Sequence, residues 1–137
     1  MKKIILTAVC IVFLAAQSHA QCTGTGTINF QRWNNITGSA VANLTSNINY
    51  PNNPSSTGTR TTFEMQTNLG SNLGIRMYGY ICPPTTGNYI FWIASDASGE
   101  LWISTNSSPA NKIRRAYNTS STNSRQWNKF ATQKSVA

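Results

Sequence analysis

Glu64, Asp96 and Glu100 are the three carboxylates of this 137-residue chain, and His19 is its single imidazole. That inventory limits the chemistry. His19 falls inside an N-terminal segment expected to be removed, and without a histidine the remaining chain can build no Ser-His-Asp triad, Cys-His pair or histidine zinc site. Glycoside hydrolysis needs two carboxylates about 5–5.5 Å apart for retention, or about 6.5–9.5 Å for inversion. Asp96 and Glu100 could meet such a spacing across a tight turn. The simpler account is that Asp96 organises the turn and Glu100 is a solvated strand end. The chain is therefore expected not to be an enzyme.

The aromatic residues offer a different chemistry. Trp92 and Trp102 could stack on a sugar ring, but large aromatics on neighbouring strands more commonly pack in a core or half-buried. Trp33 and Trp127 lie near loops, and nothing in the sequence says which way they point. Lys112, Arg114, Arg115, Arg125, Lys129 and Lys134, interleaved with Tyr117 and Trp127, suggest an anion-binding stripe. Strand alternation separates Arg114 from Arg115, so they do not form one patch. A solvated surface or attraction to an anionic glycan or cell envelope are the two readings. Nucleic acid is not an expected partner of an exported chain.

Export itself is read from the first twenty residues. Lys2 and Lys3 precede an apolar run of 13 residues, residues 4–16, interrupted by Thr7. Ser18 and Ala20 then occupy the −3 and −1 positions of a signal-peptidase site. The run is shorter than the roughly 18 residues a membrane span requires, so no stable membrane insertion is expected. Residues 1–20 are thus expected to be a signal peptide and residues 21–137 one compact domain. That domain would carry nine Lys/Arg against three acids, a net charge of +6. It would keep Cys22 and Cys82, which in an oxidising compartment most often pair. Such a bridge, closing about 60 residues, would contribute about 4 kcal/mol in the chain-entropy model. The competing reading leaves each cysteine free or paired elsewhere.

The elements that would position these residues read as strands. Thr, Asn and Ser crowd the chain and disfavour helix interiors. In residues 75–81, Ile75, Met77 and Ile81 alternate with Arg76, Tyr78 and Tyr80. Pro83 and Pro84 end that strand, Thr86-Gly87-Asn88 turns, and residues 89–94 follow as an almost continuous apolar run. A run apolar on both faces suggests a central strand covered on both sides. Residues 95–99 turn again into a third strand at 100–104. The three are expected to form an antiparallel meander. Further strands are expected at 27–33, 60–66 and 112–117, with a last one starting near Lys134, and residues 41–46 could hold one helical turn. Residues 47–59, rich in Asn, Pro and Ser, read as a long surface loop. The fold class is all-β, an antiparallel sandwich or barrel. Because residues 133–137 read as the opening of a strand, the domain is expected to be incomplete at its C-terminus.

Four blocks carry a family likeness. They are Arg32-Trp33-Asn34-Asn35-Ile36-Thr37-Gly38; Arg76-Met77-Tyr78-Gly79-Tyr80-Ile81 with Pro83-Pro84 and Thr86-Gly87-Asn88-Tyr89-Ile90-Phe91; Ser95-Asp96-Ala97-Ser98-Gly99-Glu100-Leu101-Trp102-Ile103-Ser104-Thr105; and Trp127 with Lys134-Ser135. Their order and spacing resemble the protective-antigen-type (PA-fourteen) domain, a lectin-like module of secreted and cell-surface proteins, over about residues 24–137. The resemblance implies a β-sandwich that commonly recognises carbohydrate. In its sugar-binding members two adjacent aspartates hold a calcium ion, and the sugar hydroxyls coordinate that ion. Asp96 matches the first aspartate, but Ala97 stands where the second would be. Calcium prefers six to eight oxygen ligands and gains affinity with carboxylates, so calcium at Asp96 is expected to be weak.

With Asp96 placed by the resemblance, and Ser98 and Glu100 beside it in the same block, the expected ligand-binding residues are Asp96, Ser98 and Glu100, and two functions are open. One is a non-catalytic carbohydrate-binding module whose partner is a glycan or cell-surface polysaccharide, joined to downstream domains of a larger chain. The other is a structural or adhesion spacer with a protein partner or no ligand.

Overall fold

The computed structural model describes Gly24 and residues 26–136. The expected signal peptide and Cys22 lie outside the described residues. Cys82 is disulfide-bonded. A side chain at Gly24 would approach its Sγ to 3.8 Å, so the start of the described chain runs beside Cys82.

The architecture is all-β, with antiparallel sheets and one short helix. Its elements are β1 (Ile28–Asn34), α1 (Val41–Thr45), β2 (Ser56–Arg60), β3 (Leu73–Tyr78), β4 (Gly99–Ser104) and β5 (Lys112–Asn118), with 3₁₀ turns at Pro109–Asn111 and Ala131–Gln133. One sheet has the order β2-β1-β3, and β4 pairs with β5 in another. Among the described residues no helix is long and apolar enough to cross a membrane.

The apolar core forms on the first sheet. Trp33 of β1 is 1% exposed and packs with Ile36 and Leu44, while the Tyr50 ring lies 5.1 Å from its own. Its indole N–H donates to the Asn49 carbonyl at 3.1 Å, so burial leaves the indole nitrogen paired. Leu44 reaches this cluster because the sheet is bare where α1 crosses it. A Cβ at Gly74, which faces Trp33 in the β1–β3 register, would come within 2.5 Å of Leu44 Cδ1. The entry into α1 is closed by Asn43, whose Oδ1 accepts the Ala40 N–H at 2.9 Å. Gly38, at φ +103°, makes room for that amide.

β1, β5 and the helical turn stand where the sequence places them. The meander does not. β3 ends at Tyr78 and pairs with β1, not with residues 89–94. Residues 89–94 form no regular strand: Trp92 bridges Lys134, the Ile93 amide donates to the Gln133 carbonyl, and the Ser135 amide donates to the Phe91 carbonyl. The run thus takes its backbone partner from the far end of the chain. Nor is it covered on both sides, since Trp92 is 47% exposed. Ile81, expected on a buried face, is also exposed, because the strand has already ended. The strand expected at 60–66 is shifted to Ser56–Arg60, inside the segment read as loop. There β1 supplies a free edge, and pairing from Ile28↔Arg60 to Arg32↔Ser56 overrides the turn-like composition.

Candidate functional site: the turn after residue 94 and the β4–β5 face

The turn that carries Asp96 is held mainly by hydrogen bonds to the end of β5 and the residues that follow it. Ser95 donates its amide to Thr122 Oγ1 at 3.0 Å, and its carbonyl accepts the Thr122 amide at 2.9 Å. Asn118 stands beneath the turn, 1% exposed. Its Nδ2 donates to the carbonyls of Ala97 (2.8 Å) and Ser120 (2.9 Å), and its Oδ1 accepts from Ser95 Oγ at 2.9 Å. Ala97 is held in the left-handed region at φ +70°, and its amide donates to Ser121 Oγ at 3.0 Å.

Asp96 Oδ1 accepts from the same Ser121 hydroxyl at 3.1 Å. The carbonyl of Ala97 is already taken by Asn118 Nδ2. Among the described residues no three His, Cys, Asp or Glu side chains gather to hold a metal ion. One carboxylate, one hydroxyl and an occupied carbonyl fall short of the six to eight oxygens calcium prefers, so the residues around Asp96 do not fit that ion.

Ser98 and Glu100 lead elsewhere. The Ser98 amide donates to the Ser39 carbonyl at 3.0 Å and its hydroxyl to the Thr119 carbonyl at 3.1 Å. Ser98 and Glu100 line a cleft of about 250 Å³, together with Arg114 and Tyr117 of β5 and with Ala40 and Val41 at the start of α1. Asp96 is not among its lining residues, so the structure divides the three residues expected to act together.

What aims Arg114 and Tyr117 at the cleft is a β-bulge. Along β4–β5 the register pairs Glu100 with Tyr117 and Leu101 with Ala116, then shifts so that Trp102 pairs with Arg114. Arg115 is the extra residue. Ordinary alternation would put Arg114 and Tyr117, three apart, on opposite faces; the bulge puts them together with Glu100 and Trp102. Glu100 then collects its neighbours. Its Oε1 accepts from Arg114 Nη1 at 2.8 Å and its Oε2 from the Trp102 indole N–H at 2.9 Å. The Arg114 guanidinium lies 4.3 Å from the centre of the Tyr117 ring. Trp102 is 47% exposed. Glu100 is therefore no solvated strand end, and Trp102 is half-buried, not in the core. Sequence reasoning singled out both but not their connection to Arg114, which needs the bulge.

A larger groove of about 670 Å³ runs along residues 60–69. It is open, and within it Arg60 Nη2 donates to Gln66 Oε1 at 3.2 Å. At its rim Glu64 accepts from Arg125 Nη2 at 2.8 Å, and that cation holds the Glu64 carboxyl below its ordinary range.

The PA14 domain family model matches residues 32–135. N-acetyl-beta-glucosaminyl-glycoprotein 4-beta-N-acetylgalactosaminyltransferase 1 of Mus musculus is 33% identical over 85 residues, 62% of this chain and 8% of that protein. The chain thus spans less than a tenth of this relative's length. No solved structure matches the chain significantly.

Proposed function

The chain belongs to the PA14 domain family, and on that premise we propose that it is a non-catalytic carbohydrate-binding module of an exported protein. One observation carries the reading: the family model spans most of the described chain, and its members are typically non-catalytic and often bind carbohydrate. The inventory of side chains supports it, since His19 is the single histidine and Glu100 is engaged on both oxygens by structural partners. The relative's transferase activity belongs to a protein of which the match covers 8%, so it argues for glycan association and not for catalysis here. The relative's name suggests where to begin, with N-acetylglucosamine- and N-acetylgalactosamine-terminated glycans. The localisation that goes with this function is secreted or cell-surface, and the partner is a glycan or cell-surface polysaccharide.

A second reading, a spacer or adhesion module with a protein partner, is favoured by exposed Tyr80, Ile81 and Val136. The two separate in one experiment. The secreted chain, immobilised, is exposed to biotinylated glycans ending in N-acetylglucosamine, N-acetylgalactosamine, glucose, galactose or mannose. Saturable binding to at least one, competed by the free sugar, is expected. A blank response across the panel would leave the spacer reading in possession.

A further inference from the structure

We propose that the sugar contact lies on the bulged β4–β5 face, with Trp102 as the stacking platform and Glu100 and Arg114 as the hydroxyl-binding pair, and not at the Asp96 turn. The inference rests on the carbohydrate-binding reading and gives it a site. Its chemistry follows from what each group has left to offer.

The Trp102 indole N–H is already donated to Glu100. The ring is therefore fixed in place, and what it still presents to solvent is apolar surface. Its half-exposed ring is costly to leave wet and suits the C–H face of a pyranose. Glu100 uses one lone pair on each oxygen, and a carboxylate has about four acceptor sites in all, so about two remain. Arg114 gives one of five N–H groups to Glu100 and keeps a side chain 44% exposed. An acceptor and a donor held at 2.8 Å from one another, beside an aromatic plane, can engage two neighbouring hydroxyls of one ring. Tyr117, beneath the guanidinium, restricts where Arg114 can point.

Three features define the ligand. The cleft of about 250 Å³, which Glu100 and Arg114 line and Trp102 does not, lies just under the range of about 300–1,000 Å³ usual for small-molecule sites, so a single sugar unit on the Trp102 ring meets the cleft at the Glu100–Arg114 pair, with the rest of the glycan outside. Glu100 and Arg114 together carry no net charge, so the site takes a neutral pyranose, not a sulfated sugar or a uronate. The polar contacts are short-range, so affinity should change little between low salt and 0.5 M salt, where charges beyond a few ångströms are screened.

The test uses the full chain as secreted and the same five-sugar panel, with isothermal titration of the best free sugar. Trp102→Ala should weaken binding about tenfold or more, corresponding to about 1.4 kcal/mol. Trp102→Phe, which keeps a ring but not the N–H, should retain part of the affinity. Trp127→Ala removes another half-exposed tryptophan outside the face and should bind as the parent does. Should Trp102→Ala fold poorly, Arg114→Lys carries the test: it keeps the charge, loses the planar fork, and should weaken binding by a similar factor. Unchanged binding in Trp102→Ala and Arg114→Lys, with loss in Asp96→Asn, would overturn this site while leaving the carbohydrate-binding reading intact. Binding confined to sulfated or uronate glycans, added as a sixth arm, would also overturn it. A parent chain that binds none of them would overturn both.

Discussion

The half of the molecule built on β1 and the half built on β4–β5 are buried by different means. Around β1, water is excluded by apolar side chains: Trp33, Ile36 and Leu44, with Tyr50 against them. From residue 91 onward the buried side chains are mostly polar, namely Asn118, Thr122, Gln133 and Ser135, with Ala116 the apolar exception among the described residues. Large aromatics in that half, Trp92, Trp102 and Trp127, stand half in solvent. Apolar burial is non-directional and fixes which elements pack together. Hydrogen bonds are directional, so a buried polar network fixes where a turn points. The second half holds the candidate site, and its positions are set by bonds of this kind.

The contrast can be broken at its strongest point first. Trp33→Ala should cost about 3–5 kcal/mol, the usual range for emptying a buried tryptophan site. It also strands the Asn49 carbonyl that the indole satisfies. Chemical denaturation should show a midpoint far below that of the parent or no cooperative transition. A loss under about 1 kcal/mol, within the range of ordinary surface substitutions, would mean the apolar cluster does not hold this half together.

Gln133→Ala tests the polar half and should cost somewhat less. The Gln133 side chain is fully buried and makes three bonds: Nε2 to the carbonyls of Ile93 and Gln126, both at 2.7 Å, and Oε1 from the Phe130 amide at 2.8 Å. Leaving such groups unpaired costs about 1–3 kcal/mol each when they stay dry, less where water enters. A total of about 2–3 kcal/mol is expected, with faster hydrogen exchange at Ile93 and Phe130 and little change around Trp33. Uniform acceleration across both halves would show that the two are one cooperative unit.

How much of this could be read beforehand follows the same division. β1, β5 and the turn of helix were legible because local alternation and composition determine them. β2 was not, because Ser56-Thr57-Gly58 has the composition of a loop and becomes a strand only through the edge that β1 offers. Residues 89–94 misled for the opposite reason. Their apolar character announces burial on two faces, whereas their backbone pairs with residues 133–135 and Trp92 stays half exposed. At the site, Glu100 and Ser98 were recognisable by position in the turn. The link of Glu100 to Arg114 depends on a one-residue bulge, which alternation alone cannot supply.

The smallest expected effect lies in the Asp96 turn, and it separates backbone strain from metal affinity. Ala97 sits at φ +70°, where an L-residue with a Cβ is disfavoured. Ala97→Gly should therefore stabilise the chain by about 0.5–1 kcal/mol, despite glycine's extra freedom in the unfolded state. Ala97→Asp should relax the turn partly, because aspartate tolerates this region better than alanine. It also sets a second carboxylate beside Asp96, whose present polar side-chain partner is Ser121. Calcium affinity grows with carboxylate ligands, so millimolar Ca²⁺ should raise the melting temperature of Ala97→Asp by several degrees. The parent chain and Ala97→Gly should respond weakly or not at all. Equal calcium responses in all three chains would show that the ion binds away from the turn. Tight binding by the parent would mean that oxygens other than the Asp96 carboxylate build the site, and the account of the turn given by its hydrogen bonds would be wrong.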